Sequence, residues 1–136
     1  MGRIAAIDFG MKRIGIAISD EGKKIAFPAQ TVPGGLNSAL EVQKAFSGKT
    51  IELILLGLPL QLNGLEGPMA QLVKQFAIEL EKELKVPIQF VDERFSSKVA
   101  DQSLRQMQLN RKERSALIDV TTATLLLQGY LDAMGH

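Results

Sequence analysis

The chain has no cysteine and no tryptophan, and its only histidine, His136, is the last of 136 residues. Without cysteine there can be no disulfide and no thiolate metal site, which fits a reducing compartment. A lone histidine at the very end argues against a histidine-based metal centre or a Ser–His–Asp triad. Aromatics are scarce, with six Phe and one Tyr, so recognition of bases by stacking has little to work with. No apolar stretch approaches membrane-spanning length. The opening Met1-Gly2-Arg3-Ile4-Ala5-Ala6-Ile7-Asp8 does not read as a signal peptide, because an acid interrupts it. These absences point to a cytoplasmic protein with no membrane partner. Net charge is only +1, which excludes a highly basic nucleic-acid coat and leaves any such binding to a local patch.

What remains is an ordinary globular composition, 46% hydrophobic and 23% charged, in a chain long enough to bury a core. No linker, repeat or low-complexity segment divides it, so residues 1–136 are expected to form a single domain. Residues 3–9 read as a buried strand. Ile14 to Ser19 alternates, with Ile14, Ile16 and Ile18 on one face and Gly15, Ala17 and Ser19 on the other. Asp20-Glu21-Gly22-Lys23 reads as a hairpin turn with Gly22 at the left-handed position. A third strand is expected over 24–31, broken at Pro33-Gly34-Gly35. Ser38 and Glu41 have capping-box spacing and open a short helix ending near Gly48.

The continuous apolar run Ile51 to Gly57 reads as a central parallel strand. Pro68 opens a helix in the favoured position. Its apolar stripe is Met69, Leu72, Val73, Phe76, Ala77, Leu80 and Leu84. Ile88 to Asp92 is the return strand. Two helices follow, over about 96–107 and 115–132, joined by the basic, polar stretch 110–114. The expected fold is therefore α/β: a five-stranded mixed sheet, three antiparallel strands and then a parallel βαβ unit, flanked by helices. Strand 51–57 lies most simply parallel to strand 3–9. The carboxyl ends of strands 3–9, 51–57 and 88–92 then share the edge where α/β sheets bind ligands.

Three acids stand out in that layout. Asp8 is on the face of Ile4 and Ala6 inside an apolar strand, where a carboxylate is costly unless something pairs with it. A strand-end Asp can also cap a turn, but that does not explain the apolar setting. Glu93 follows strand 88–92; Asp92-Glu93-Arg94 also reads as a plain surface strand end. Asp119 clusters on a helical wheel with Ala116, Ala123, Leu126 and Tyr130. A helix-dipole role explains its place along the helix but not its face. Three separated carboxylates that a fold can gather suggest a divalent-metal site acting on phosphate esters.

Cations follow the acids closely: Lys12, Arg13, Arg94, Lys98, Arg105, Arg111, Lys112 and Arg114. Solvated surface charge is the usual reading of such residues, and a cationic rim for a phosphate backbone is the functional one. The loop Gly57-Leu58-Pro59-Leu60 with Asn63-Gly64 reads as tight turns, or as a place for close approach. The helix opening at Pro68 could present its N-terminus to phosphate.

An ordered set of short motifs then carries a resemblance from end to end. Asp8-Phe9-Gly10 with Lys12-Arg13-Ile14-Gly15 comes first, followed by Ser19-Asp20. Gly57-Leu58-Pro59-Leu60 with Asn63-Gly64 comes next, then Asp92-Glu93-Arg94 with Ser96-Ser97. Asp119 closes the set with Leu127-Gln128 and Tyr130-Leu131. Together they resemble the YqgF/RuvX family, described as Holliday-junction resolvases or pre-16S ribosomal RNA processing nucleases with a ribonuclease H-like fold. The resemblance implies that Asp8, Glu93 and Asp119 are the acidic catalytic and metal-binding residues. The chain departs from the family at Met11, where Thr is usual, at Thr122-Ala123, where a pair of Ala is usual, and at Asn63-Gly64, where Asp-Gly is frequent.

The expected activity is a divalent-metal-dependent nuclease on structured nucleic acid, RNA or a DNA junction. One or two Mg²⁺ or Mn²⁺ ions, about 4 Å apart if two, would lie on Asp8, Glu93 and Asp119. Lys12, Arg13, Arg94, Lys98, Arg111 and Lys112 would hold substrate phosphates. Partners are nucleic acid and, for the RNA reading, a pre-ribosomal particle, with the chain a monomer or weak homodimer. Two alternatives stay open: a non-catalytic RNA-binding or ribosome-assembly factor, and a nucleotide-binding module of actin-like ATPase type, which needs a second domain to close its cleft.

Overall fold

A computed structural model describes residues 2–61, 63–93 and 111–135, with the backbone alone described over 111–116 and at 135. The strands are β1 (Arg3–Asp8), β2 (Arg13–Ser19), β3 (Ala26–Pro33), β4 (Ile51–Leu58) and β5 (Ile88–Asp92). The helices are α1 (Ala39–Ala45), α2 (Pro68–Leu84) and α3 (Arg111–Gly135). One sheet runs in the order β3-β2-β1-β4-β5. Pairing is antiparallel between β1 and β2 and between β2 and β3, and parallel between β1 and β4 and between β4 and β5. The mixed sheet expected from the sequence is the one observed. The expected helix over 96–107 lies outside the described residues.

Strand alternation sends large and small side chains to opposite faces, and each face is covered. Ile7, Ile14, Ile16, Ile54 and Leu56 pack with Val42, Val73, Phe76 and Leu80 of α1 and α2. Ile4, Ala6, Ala17 and Leu55 pack with Ala123, Leu127 and Leu131 of α3. The α3 face is lined by small residues in β2, namely Gly15, Ala17 and Ser19, all buried. A helix can approach such a surface more closely than one of isoleucines. Gln128 ties α3 to the start of β3: its Oε1 accepts from the Ala26 amide (2.8 Å) and its Nε2 donates to the Lys24 carbonyl (3.0 Å).

Local expectations shift in five places. The left-handed residue of the first hairpin is Lys23 (φ 58°) rather than Gly22. The Asp20 carboxylate accepts from the Lys24 and Ile25 amides, so its side chain shapes the turn. β3 runs over Ala26–Pro33, two residues later than expected. Ser38 stands at the N-cap of α1 without a side-chain capping bond, because it is buried and has no extended N-cap backbone (φ −94°, ψ 7°). On α2, Ala70 rather than Met69 joins the buried stripe. α3 begins at Arg111, taking in the basic stretch; Arg, Lys and Glu are good helix formers.

Candidate active site

The site is built around one row of the sheet. Asp8 ends β1 and is directly opposite Gly15 of β2. On its other side, one step beyond the Ile7–Leu56 pair, stands Gly57 of β4. Asp8 is thus flanked by two glycines on the α3 face, and each admits another acid. A Cβ on Gly15 would collide with the backbone carbonyl of Asp119 and come within 2.5 Å of the Val120 nitrogen. The α3 backbone therefore rests on β2 at the residue beside Asp8. A Cβ on Gly57 would occupy the place of Glu93 Oε2, and would stand 3.0 Å from both Glu93 Cδ and Leu126 Cδ1. Glu93 begins beyond the edge strand β5, held by its amide on the Leu58 carbonyl (3.3 Å). Its side chain reaches back over β4 through the gap that glycine leaves, about 5 Å of strand spacing. The charges of both Glu93 and Asp119 bear on Asp8.

The loop after β1 is equally fixed. Phe9 points to the opposite face and stacks on Phe76 of α2, ring centroids 4.6 Å apart. Gly34 and Gly35 donate amides to the carbonyls of Lys12 (3.0 Å) and Gly10 (3.1 Å). This carries Lys12, exposed, and Arg13, half-buried, to the rim of the site. Arg13 Nε donates to Asp119 Oδ2 at 3.2 Å. Asp119 is the ninth residue of α3, beyond the first turn where a helix dipole acts, so its place is explained by the cluster rather than by the helix end.

Burial first, then the charges of Glu93 and Asp119, push the Asp8 carboxyl up to about 10 from an ordinary 3.8. Glu93 is raised too, chiefly by burial, with Asp119 and the exposed Asp92 adding to it. Both folded-state values lie above the unfolded ones, so the native protein holds protons that the unfolded chain releases. The stability this contributes is full below about pH 4 and is lost as pH rises toward 10. Metal-free protein in EDTA should therefore show a falling urea midpoint between pH 5 and 9. A divalent cation should flatten or reverse that trend. A flat profile in EDTA would mean that the acids are solvated and unburdened.

These features suit a hard cation. The donors are carboxylate oxygens, the type that Mg²⁺ and Mn²⁺ prefer. Among the described residues, Glu93 Oε2 is buried without a hydrogen-bond partner, a costly state that a cation would relieve. Among the described residues, no group of three acids already stands at metal-ligand spacing, and Asp119 is held by Arg13. Of the expected phosphate ligands, Arg94 and Lys98 lie outside the described residues, as does Arg105. Arg111, Lys112 and Arg114 fall on the first turn of α3, where only the backbone is described. The sequence singled out the three acids, read Gly57 as part of a loop for tight turns or close approach, and offered Gly15 and Gln128 only as parts of the family motifs. Glycines interrupting otherwise apolar strands were the available signal.

The model of one family, described as "RuvX: Holliday junction resolvase", matches residues 2–133. A protein of Protochlamydia amoebophila described as "Putative pre-16S rRNA nuclease" is 43% identical over 96% of this chain and 93% of its own. Among solved structures, a fowlpox virus resolvase in complex with substrate Holliday junction DNA superposes with a TM-score of 0.58. It is 16% identical and covers 97% of this chain and 98% of its own. RuvC of T. thermophilus in complex with a Holliday junction substrate gives 0.57 at 17% identity, covering 98% and 96%. The fold is thus the ribonuclease H-like one of these resolvases. No helix among the described residues is long and apolar enough to cross a membrane.

Proposed function

The chain belongs to the RuvX family, and from that membership and the acidic row we propose that it is a divalent-metal-dependent nuclease hydrolysing phosphodiesters in structured nucleic acid. The observation that carries the reading is the placing of Asp8 between two glycines that admit Asp119 and Glu93. Close approach of α3 explains Gly15, but a second glycine at Gly57, filled by an acid side chain beside a buried acid, is not explained by packing. It lowers van der Waals contact and gathers like charges.

Asp8, Glu93 and Asp119 would hold one or two Mg²⁺ or Mn²⁺ ions. Such an ion supplies electrostatic stabilisation of the charge that develops on the phosphate oxygens. Asp8, buried at the end of β1, and Glu93, half-buried beyond β5, would present their carboxylates to that ion from the floor of the site. Lys12, exposed on the loop after β1, would meet a neighbouring phosphate as a flexible point charge. The start of α3 would extend the rim through Arg111, Lys112 and Arg114. No histidine, serine or cysteine nucleophile is needed, which agrees with a chain that has no cysteine and only a terminal histidine.

Names borne by similar proteins support two candidate substrates, pre-16S ribosomal RNA and a Holliday junction. A cleavage panel of both, with Mg²⁺ or Mn²⁺ and an Asp8→Asn control, tests the proposal. Metal-dependent cutting of one substrate class, absent from the control, is the expected result. Selective cutting of precursor RNA would suit a monomer acting on a pre-ribosomal particle, and junction resolution a two-fold dimer. Binding without cutting in any metal would instead favour a non-catalytic assembly factor. Binding should also fall with salt. Contacts to three phosphates predict a loss of roughly tenfold or more between 50 and 200 mM salt. Neutralising Arg111, Lys112 and Arg114 together should flatten the slope. Affinity indifferent to salt would point to a small-molecule ligand.

A further inference from the structure

We infer that Arg13 is the resident counter-ion of the carboxylate cluster, holding Asp119 in the metal-free protein and yielding it when a divalent cation binds. The inference rests on the metal reading above and adds a role that the phosphate-binding expectation for Arg13 does not contain.

Among the described residues, Asp119 is supplied with a cation: Arg13 Nε lies 3.2 Å from its Oδ2, the two side chains 38% and 22% exposed. The pairing spans 106 residues of sequence and is no accident of a flexible loop. Arg13 opens β2, in register with Pro33. Its carbonyl lies where a Cβ on Gly10 would stand, 2.5 Å away. The amides of Gly34 and Gly35 clamp the same turn. The Asp119 backbone is equally constrained, since it sits on Gly15.

Two rigidly mounted groups of opposite charge therefore meet at the edge of a site rich in like charge. One ligand is engaged elsewhere until something competes for it. A divalent ion outcompetes a guanidinium for a carboxylate that is also near two others, and Arg13 is then released toward the substrate side.

Two measurements test this. The first is a double-mutant cycle in urea and EDTA with Arg13→Gln and Asp119→Asn. Arg13→Gln should lower the midpoint in the wild-type background and lower it little in the Asp119→Asn background. An unchanged midpoint, or an equal loss in both backgrounds, would overturn the proposal. Should Arg13→Gln alone fail to fold, recovery in the double variant supports the proposal and failure to recover overturns it. The second is Mn²⁺ binding by calorimetry in the absence of nucleic acid. Arg13→Gln should bind Mn²⁺ about two- to fivefold more tightly than wild type, the scale of one partly screened charge pair. Arg13→Lys should stay near wild type. Equal or weaker binding by Arg13→Gln would overturn the exchange. Wild type that binds no Mn²⁺ at all would instead sink the metal reading, with the Arg13–Asp119 coupling still decided by the urea cycle.

Discussion

Asp8→Asn should reduce cleavage by about a thousandfold or more, equivalent to ~4 kcal/mol of lost transition-state stabilisation, while making the metal-free protein more stable. The two effects have one cause. The Asp8 carboxyl is buried (6% exposed) and pushed up to about 10 by burial and by its neighbours Glu93 and Asp119. An amide of the same shape escapes the charge and can donate to either acid. Near neutral pH the gain should be on the order of 1–2 kcal/mol, a rise in Tm of several degrees for a chain of this size. The pH dependence of the urea midpoint should weaken in the same variant, because its largest contributor is gone. Nucleic-acid binding should persist, since it draws on the cationic rim rather than on the acids. Thermal melts in EDTA and a filter-binding curve alongside the cleavage assay separate these outcomes. A variant that unfolds would make Asp8 a structural cap. Cleavage that survives in a contaminant-free preparation would remove Asp8 from catalysis.

Alanine at the two flanking glycines should produce opposite patterns. At Gly15 the new methyl meets the α3 backbone at Asp119 and Val120, and backbone cannot swing aside. The helix must lift from β2, where Ala17, Ala123 and Leu127 are fully buried. Gly15→Ala should cost about 2–3 kcal/mol, at the upper end for overpacking, and should draw Asp119 away from Asp8. At Gly57 the methyl meets the end of the Glu93 side chain and Leu126 Cδ1, and both can turn away. Gly57→Ala should therefore cost less than about 1 kcal/mol of stability. Its activity should fall about a hundredfold, because a displacement of one ångström is enough to spoil a reacting geometry. Urea midpoints and single-turnover rates on the same preparations read both. Full activity in Gly57→Ala would show that Glu93 does not act from above β4, and the three-acid site would lose a member.

The elements of this fold were legible because their signals are local. Ile51 to Leu56 is nearly continuous in apolar residues, and Ile14, Ile16 and Ile18 alternate with Gly15, Ala17 and Ser19. Pairing rules then allow few sheets, and the observed order β3-β2-β1-β4-β5 is the simplest of them. The acids were legible for a related reason. Asp8 violates the apolar pattern of its own strand, and Asp119 lies on the packed side of its helix, beside the buried Ala123 and Leu126. Each conflict shows within a few residues of sequence.

What the sequence by itself determined, then, is which segments become strands and helices, which of their faces are buried, and which carboxylates are out of place. Only the tertiary structure decided how those carboxylates meet. Gly15 and Gly57 read as ordinary small residues until β1 is laid between β2 and β4, when each proves to be the space through which another acid arrives. Arg13 reads as one of several rim cations until α3 comes down on β2 and sets Asp119 3.2 Å from its Nε. Gln128 reads as a polar helix residue until the hairpin ends beside it. Contacts between residues some forty to a hundred positions apart leave no periodicity or turn chemistry in the chain. They exist only once sheet register and helix docking fix distances in space, and a carboxylate cluster depends on those distances because charge interactions scale with separation and burial.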